Sequence, residues 1–112
     1  MKRWAYQLSL GLLAITACSP SLEQMAPPVS PSMAASSKVS ERNLQLGRAA
    51  YIAHCGRCHE YQLPDSVSDE DWHIVVPGMA WNASLSKQDE IAIRQYLIAA
   101  KSKYSMRKTA TR

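Results

Sequence analysis

Residues 55–59 read CGRCH, and no other stretch constrains the fold of this chain as strongly. Two cysteines three apart, followed at once by a histidine, serve as a redox dithiol, as half of a zinc site, or as the anchor of a covalent cofactor. The sequence has 112 residues and three cysteines, the remaining one being Cys18. A bridge between Cys55 and Cys58 would close too small a loop to staple a domain. A folded region of about 60 residues buries only about 60% of its unfolded surface and is marginal without a staple. Whatever binds at CGRCH must therefore help to make the core.

The N-terminus reads MKRWAYQLSLGLLAITAC: Lys2 and Arg3, an uncharged apolar run from Trp4 to Ala17, then Cys18. This is the layout of a secretory signal, with an apolar run too short for a stable membrane span. Ile15, Thr16 and Ala17 ahead of Cys18 resemble the lipobox of bacterial lipoproteins. That resemblance implies a signal peptide over 1–17, cleavage before Cys18, and a lipid on Cys18. Ser19 in place of an aspartate implies a slight preference for the outer membrane.

Cleavage there would leave a mature chain of 95 residues and lower the formal charge from +4 to +2. Five basic and eight acidic residues lie between Glu41 and Ala100, whereas Lys101 to Arg112 holds five basic residues and no acidic one. The high isoelectric point thus reports a basic C-terminal tail, 101–112, on a mildly acidic domain. It is no argument for nucleic-acid binding.

Residues 19–40, SPSLEQMAPPVSPSMAASSKVS, are rich in Pro, Ser and Ala and carry little charge. Such a composition predicts a disordered tether, 18–39, running from the lipidated cysteine to the domain. Its reach is roughly 25 Å as a coil and about 65 Å fully extended. Met25 and Met33 are expected to be incidental linker residues.

The domain proper, 40–100, predicts three helices and no strand, an all-α fold. The first runs from about Glu41 to His54 behind Ser40, with Leu44, Gly47 and Tyr51 on one face. The second opens at Ser68 with Asp71 three residues on, carries Trp72, Val75 and Val76, and is expected to stop at Pro77-Gly78. The third opens at Ser86 with Asp89, runs to about Ala100, and groups Ile93, Tyr96, Leu97 and Ala100.

These elements discriminate among the three readings of CGRCH. A thioredoxin-like dithiol needs a strand before the motif and a helix after it; here a helix precedes and a loop follows. Zinc needs four ligands, and only His73 could be added. Covalent haem c needs thioethers from Cys55 and Cys58 and an iron ligand from His59, and C-x-x-C-H is the attachment pattern for it.

With the motif LGRAAYIAHCGRCH and the later IRQYL, the region 40–100 resembles a class I cytochrome c, a small monohaem electron carrier. The resemblance implies a close helix crossing at Gly47 against Tyr96, one covalent haem, and no catalytic residues of an enzyme. DEDWHIVVPGMAW resembles small and dihaem cytochrome domains in which Trp, Val and Met follow the haem motif. It implies Met79 as the second axial ligand beside His59. Methionine sulfur raises the potential of haem iron. Only 20 residues separate His59 from Met79, so the intervening loop should be compact and one haem edge open. His73 is the rival ligand, expected to project to solvent instead. Trp72, Trp81 and Tyr61 are expected in the pocket. Pro64 should shape the loop whose carbonyl orients His59. His54 and Arg57 are expected at or near the surface.

The expected function is single-electron carriage to or from a larger redox protein, such as a dehydrogenase, an oxidase or reductase, or another cytochrome. It would operate on the periplasmic side of a bacterial envelope membrane, attached through the lipid anchor. The alternative is a haem sensor or small haem enzyme with an open or His73-ligated iron.

Overall fold

A computed structural model describes residues 18–110; the expected signal segment 1–17 lies outside the described residues. Five α-helices follow in order: α1 (Leu22–Met25), α2 (Pro31–Ser37), α3 (Glu41–His54), α4 (Asp69–Asn82) and α5 (Lys87–Ala110). A single 3-10 turn at Pro64–Ser66 precedes α4. There is no strand among the described residues, in line with the all-α expectation.

The three main helices begin where their serines place them. The Ser40 hydroxyl accepts the Asn43 N–H at 3.2 Å. Ser68 accepts the Asp71 N–H at 3.0 Å and donates its hydroxyl to the Asp71 carboxylate at 2.7 Å. Ser86 repeats this arrangement with Asp89, at 3.1 and 2.7 Å. Each serine satisfies one of the N–H groups that a helix start leaves open, an effect typically of about 1 kcal/mol. Acidic residues in the first turns of α3, α4 and α5 lie at the positive ends of the helix dipoles.

The ends of two helices differ from expectation. Helix α4 does not stop at Pro77-Gly78 but continues through Pro77 to Asn82. Proline removes one helical hydrogen bond, yet Val76 and Ala80, on either side of it, are both buried against the core. The stop comes later, where the Leu85 N–H donates to the Ala80 carbonyl at 2.9 Å and the Ser84 N–H to that of Trp81 at 3.1 Å. Ser84 has φ 55°, the left-handed conformation this type of helix end requires. Helix α5 runs on to Ala110, beyond the expected end near Ala100, because residues 101–110 contain neither Gly nor Pro. Lys101 pairs with Asp69 of α4 at 2.8 Å, so the start of the basic tail is tied to the domain.

Leu44 and Tyr51 of α3, Trp72 and Val76 of α4, and Ile93, Tyr96, Leu97 and Ala100 of α5 form one buried core. Burying a side chain such as Leu44 or Ile93 is worth roughly 1.5–3 kcal/mol each. Helices α3 and α5 cross at Gly47, where a Cβ would collide with the Ala92 carbonyl and stand 2.8 Å from the Tyr96 Cβ. This is the close crossing expected at that glycine.

Residues 19–40 depart most from expectation. They were expected as a free tether, but α1 and α2 lie within them, and Ala26, Pro27 and Met33 are buried. Ser21 and Gln24 form a reciprocal capping box at α1, and Ser30 caps α2. Two side chains of the domain pin this strap by its main chain. The Arg48 Nε–H donates to the Ala26 carbonyl at 3.1 Å, and the Tyr96 hydroxyl donates to the Pro27 carbonyl at 2.7 Å. Met33 is thus a core residue, 3% exposed, and no incidental linker residue.

Candidate functional site

Helix α3 delivers the cysteine–histidine loop. Cys55 caps its end, and its N–H donates to the Tyr51 carbonyl at 2.9 Å. Residues 55–59 then turn out of the helix towards Glu60. Gly56 is required by the return of the chain: a Cβ there would strike the ring of Tyr61, standing 2.6 Å from its Cε2. The Tyr61 hydroxyl donates to the Ile52 carbonyl at 2.6 Å, and the Tyr51 hydroxyl to that of Gln62, also at 2.6 Å. The two rings meet at 5.3 Å between centroids. Two tyrosines thereby fold the 59–62 segment back onto the last turns of α3. Burial pushes the Tyr51 hydroxyl well above the ordinary tyrosine range, with Cys55 adding to the effect.

Cys55 and Cys58 are both free thiols, but their surroundings differ. Cys55 is half-buried and Cys58 is exposed. Burial pushes the Cys55 thiol up to about 11. His59 is exposed, and its Nδ1 lies 2.7 Å from the backbone carbonyl of Glu60. A carbonyl only accepts, so the contact suits the tautomer with the proton on Nδ1 and the lone pair on Nε2. That is the tautomer of a histidine that ligates a metal through Nε2. The orienting carbonyl is that of Glu60, in the loop that leads to Pro64, whose own carbonyl accepts the Trp72 indole N–H at 2.9 Å.

An open cleft of about 460 Å³ lies beside the loop, lined by Gly56, Arg57, Cys58, His59, Glu60 and Tyr61 on one side. Its other wall is Ser19, Pro20 and Met25 of the strap. The volume is within the range of small-molecule and cofactor sites. Sequence reasoning missed this wall, since Met25 carried no signal beyond its composition-poor surroundings.

Met79 is not among the residues lining this cleft. It lies on α4, inside the helix and not on a turn leaving it, and is 46% exposed. Near it α4 presents further apolar side chains to solvent: Val75 at 37%, Ile74 at 72% and Trp81 at 85%. Trp81, expected in a pocket, is thus at the surface; Trp72 is in the core and Tyr61 at the loop. His73 is exposed, as expected. His54 is half-buried, with no hydrogen-bond partner for its Nδ1 among the described residues. No group of three or more His, Cys, Asp or Glu side chains that could hold a metal ion is found among the described residues. Among those residues, too, no helix is long and apolar enough to cross a membrane.

Comparison of the chain with protein-family models, curated proteins and solved structures gives no match.

Proposed function

We propose that the chain is a monohaem c-type cytochrome that carries single electrons at a bacterial envelope membrane and is held there by a lipid on Cys18. The observation that carries the reading is the state of CGRCH. Two unpaired thiols at the attachment spacing stand next to a histidine whose Nδ1 is occupied by the Glu60 carbonyl, leaving Nε2 for iron. This donor set fits a covalently held haem. A haem bound there would supply reversible one-electron chemistry at its iron.

The residues of this chain have separate tasks in that scheme. Cys55 and Cys58 would hold the group covalently, and His59 would ligate its iron. The Glu60 carbonyl keeps His59 in one tautomer and orientation. Gly56 and Tyr61 fix the path of the loop, so that the histidine is presented by a rigid scaffold. Met79 is the second residue proposed to hold the iron; its half-exposed thioether on the apolar surface of α4, beside Val75, is what supports it. A rigidly ligated site that changes little between oxidation states suits a carrier. The partner would be a larger redox protein.

Acidified acetone extraction of the protein, matured with haem-attachment machinery, tests the reading. The haem colour should stay with the protein. Release of free haem, or absence of haem after such maturation, overturns it.

A further inference from the structure

The strap places the N-terminal end of the mature chain on the candidate site. Ser19 and Pro20, the two residues after Cys18, line the same cleft as Cys58 and His59. A few residues further on the chain is fixed, through the Arg48 bond to the Ala26 carbonyl and the Tyr96 bond to the Pro27 carbonyl. Between Cys18 and Ala26 there are four extended steps, about 14 Å at most, and the four residues of α1, about 6 Å. The Cys18 Cα thus cannot stand more than about 20 Å from Ala26.

We propose that the lipid on Cys18 holds the mouth of the Cys58–His59 cleft against the bilayer surface, so that the site meets its redox partner in the plane of that membrane. The proposal rests on the lipid-anchor reading of Cys18. A free 22-residue tether would allow the domain to turn its cleft in any direction; a strap pinned at Ala26 and Pro27 limits that freedom to the few residues between Cys18 and the pin. The rim of the cleft carries one cation, Arg57, and one anion, Glu60. Both are exposed, and neither forms an ion pair with another described residue. The Arg57 guanidinium is therefore available to lipid phosphates, while Glu60 tempers the attraction. Pro20 and Met25, apolar residues lining the same cleft, add no charge that would repel a headgroup layer.

The test is carboxylate footprinting of Glu60 with a water-soluble carbodiimide and glycinamide, read by mass spectrometry. Three forms of the mature protein are compared: the acylated wild type in phosphatidylethanolamine–phosphatidylglycerol vesicles, soluble Cys18→Ser, and an acylated variant in the same vesicles with a Gly/Ser insertion after Cys18. An insertion of about 20 residues adds a coil reach of roughly 25 Å. Glu60 should label several-fold more slowly in the anchored wild type than in Cys18→Ser, and the insertion should restore its labelling. Equal Glu60 labelling in anchored wild type and insertion variant overturns the orientation while leaving the anchor intact. Absence of any fatty acyl group on Cys18 in the matured protein overturns the anchor and the orientation together.

Discussion

The missing Cβ of Gly47 is occupied by the backbone of α5, with the Cβ of Tyr96 only 2.8 Å from where it would stand. Gly47→Ala would improve helix propensity by about 1 kcal/mol, but the atoms in its way are largely main chain and cannot swing aside. Overpacking of this kind costs about 1–3 kcal/mol or more, so the crossing decides the sign. The variant should melt lower by on the order of 5–10 °C, taking about 4–8 °C per kcal/mol for a domain of this size. An unchanged or raised melting temperature would mean that α3 and α5 can separate without loss.

Tyr96→Phe should loosen the strap. The substitution keeps the ring in the core but leaves the Pro27 carbonyl without its 2.7 Å donor. An abandoned buried acceptor costs about 1–3 kcal/mol. Limited proteolysis should cut within residues 18–37 faster than in wild type, while the 41–100 region stays resistant. Equal cleavage rates would show that Arg48 and Met33 hold the strap unaided.

In the haem-free protein the two thiols should react differently. The thiolate is the reactive form, and burial pushes the Cys55 thiol up from 9.0 to about 11. Iodoacetamide at mildly alkaline pH should therefore modify exposed Cys58 first, with Cys55 following only on opening of the α3 end. The same shift has a consequence for stability. Below pH 9 the thiol is protonated in both folded and unfolded chains; between about 9 and 11 the unfolded chain releases the proton more readily. This contribution to stability is present below pH 9 and lost as pH rises through about 11, and Cys55→Ala should weaken the alkaline fall. Equal alkylation rates for the two cysteines would contradict the burial of Cys55.

Met79→Ala in the haem-loaded protein should lower the reduction potential, remove the sulfur-to-iron absorption band of the ferric form, and open the ferrous form to carbon monoxide. Thioether ligation favours Fe(II) more than imidazole or water does. His73→Ala should change none of these. Because Met79 and His73 are both exposed, neither substitution should shift folding stability by more than about 0.5 kcal/mol through packing alone. Met25→Ala belongs in the same series, since Met25 is the methionine that lines the cleft beside His59. Loss of the sulfur band in Met25→Ala, with Met79→Ala unaffected, would transfer the ligand assignment to the strap.

What could be read in the sequence was local chemistry. Ser40, Ser68 and Ser86 announce three helix starts because each carries its own hydrogen-bond acceptor for the third N–H of its helix. The periodic apolar residues of α3 and α5 gave Leu44, Tyr51, Ile93, Tyr96 and Leu97 as core. Pro77 misled because a proline's local cost is visible in sequence, whereas the burial of Val76 and Ala80 around it is not. The strap was illegible for a related reason. Its docking groups are the carbonyls of Ala26 and Pro27, which every residue type possesses, and the donors that select them lie on α3 and α5. At the site, CGRCH pointed to its own chemistry, but the carbonyl that orients His59 and the Met25 wall depend on how the chain returns.

The bond from Tyr96 to Pro27 joins residues 69 positions apart, and that separation orders events in time. Pro27 leaves the ribosome long before Tyr96, and contacts so distant in sequence form late because a large loop must close first. Until Tyr96 is in place the Pro27 carbonyl lacks its donor, and the strap is held through the Arg48 bond to Ala26 alone. The modifications proposed at Cys18 and at the Cys55–Cys58 pair would then meet a less constrained N-terminal half. Arrival of the last helix then supplies the Tyr96 donor, so that the segment synthesised last completes the fastening of residues 26–27.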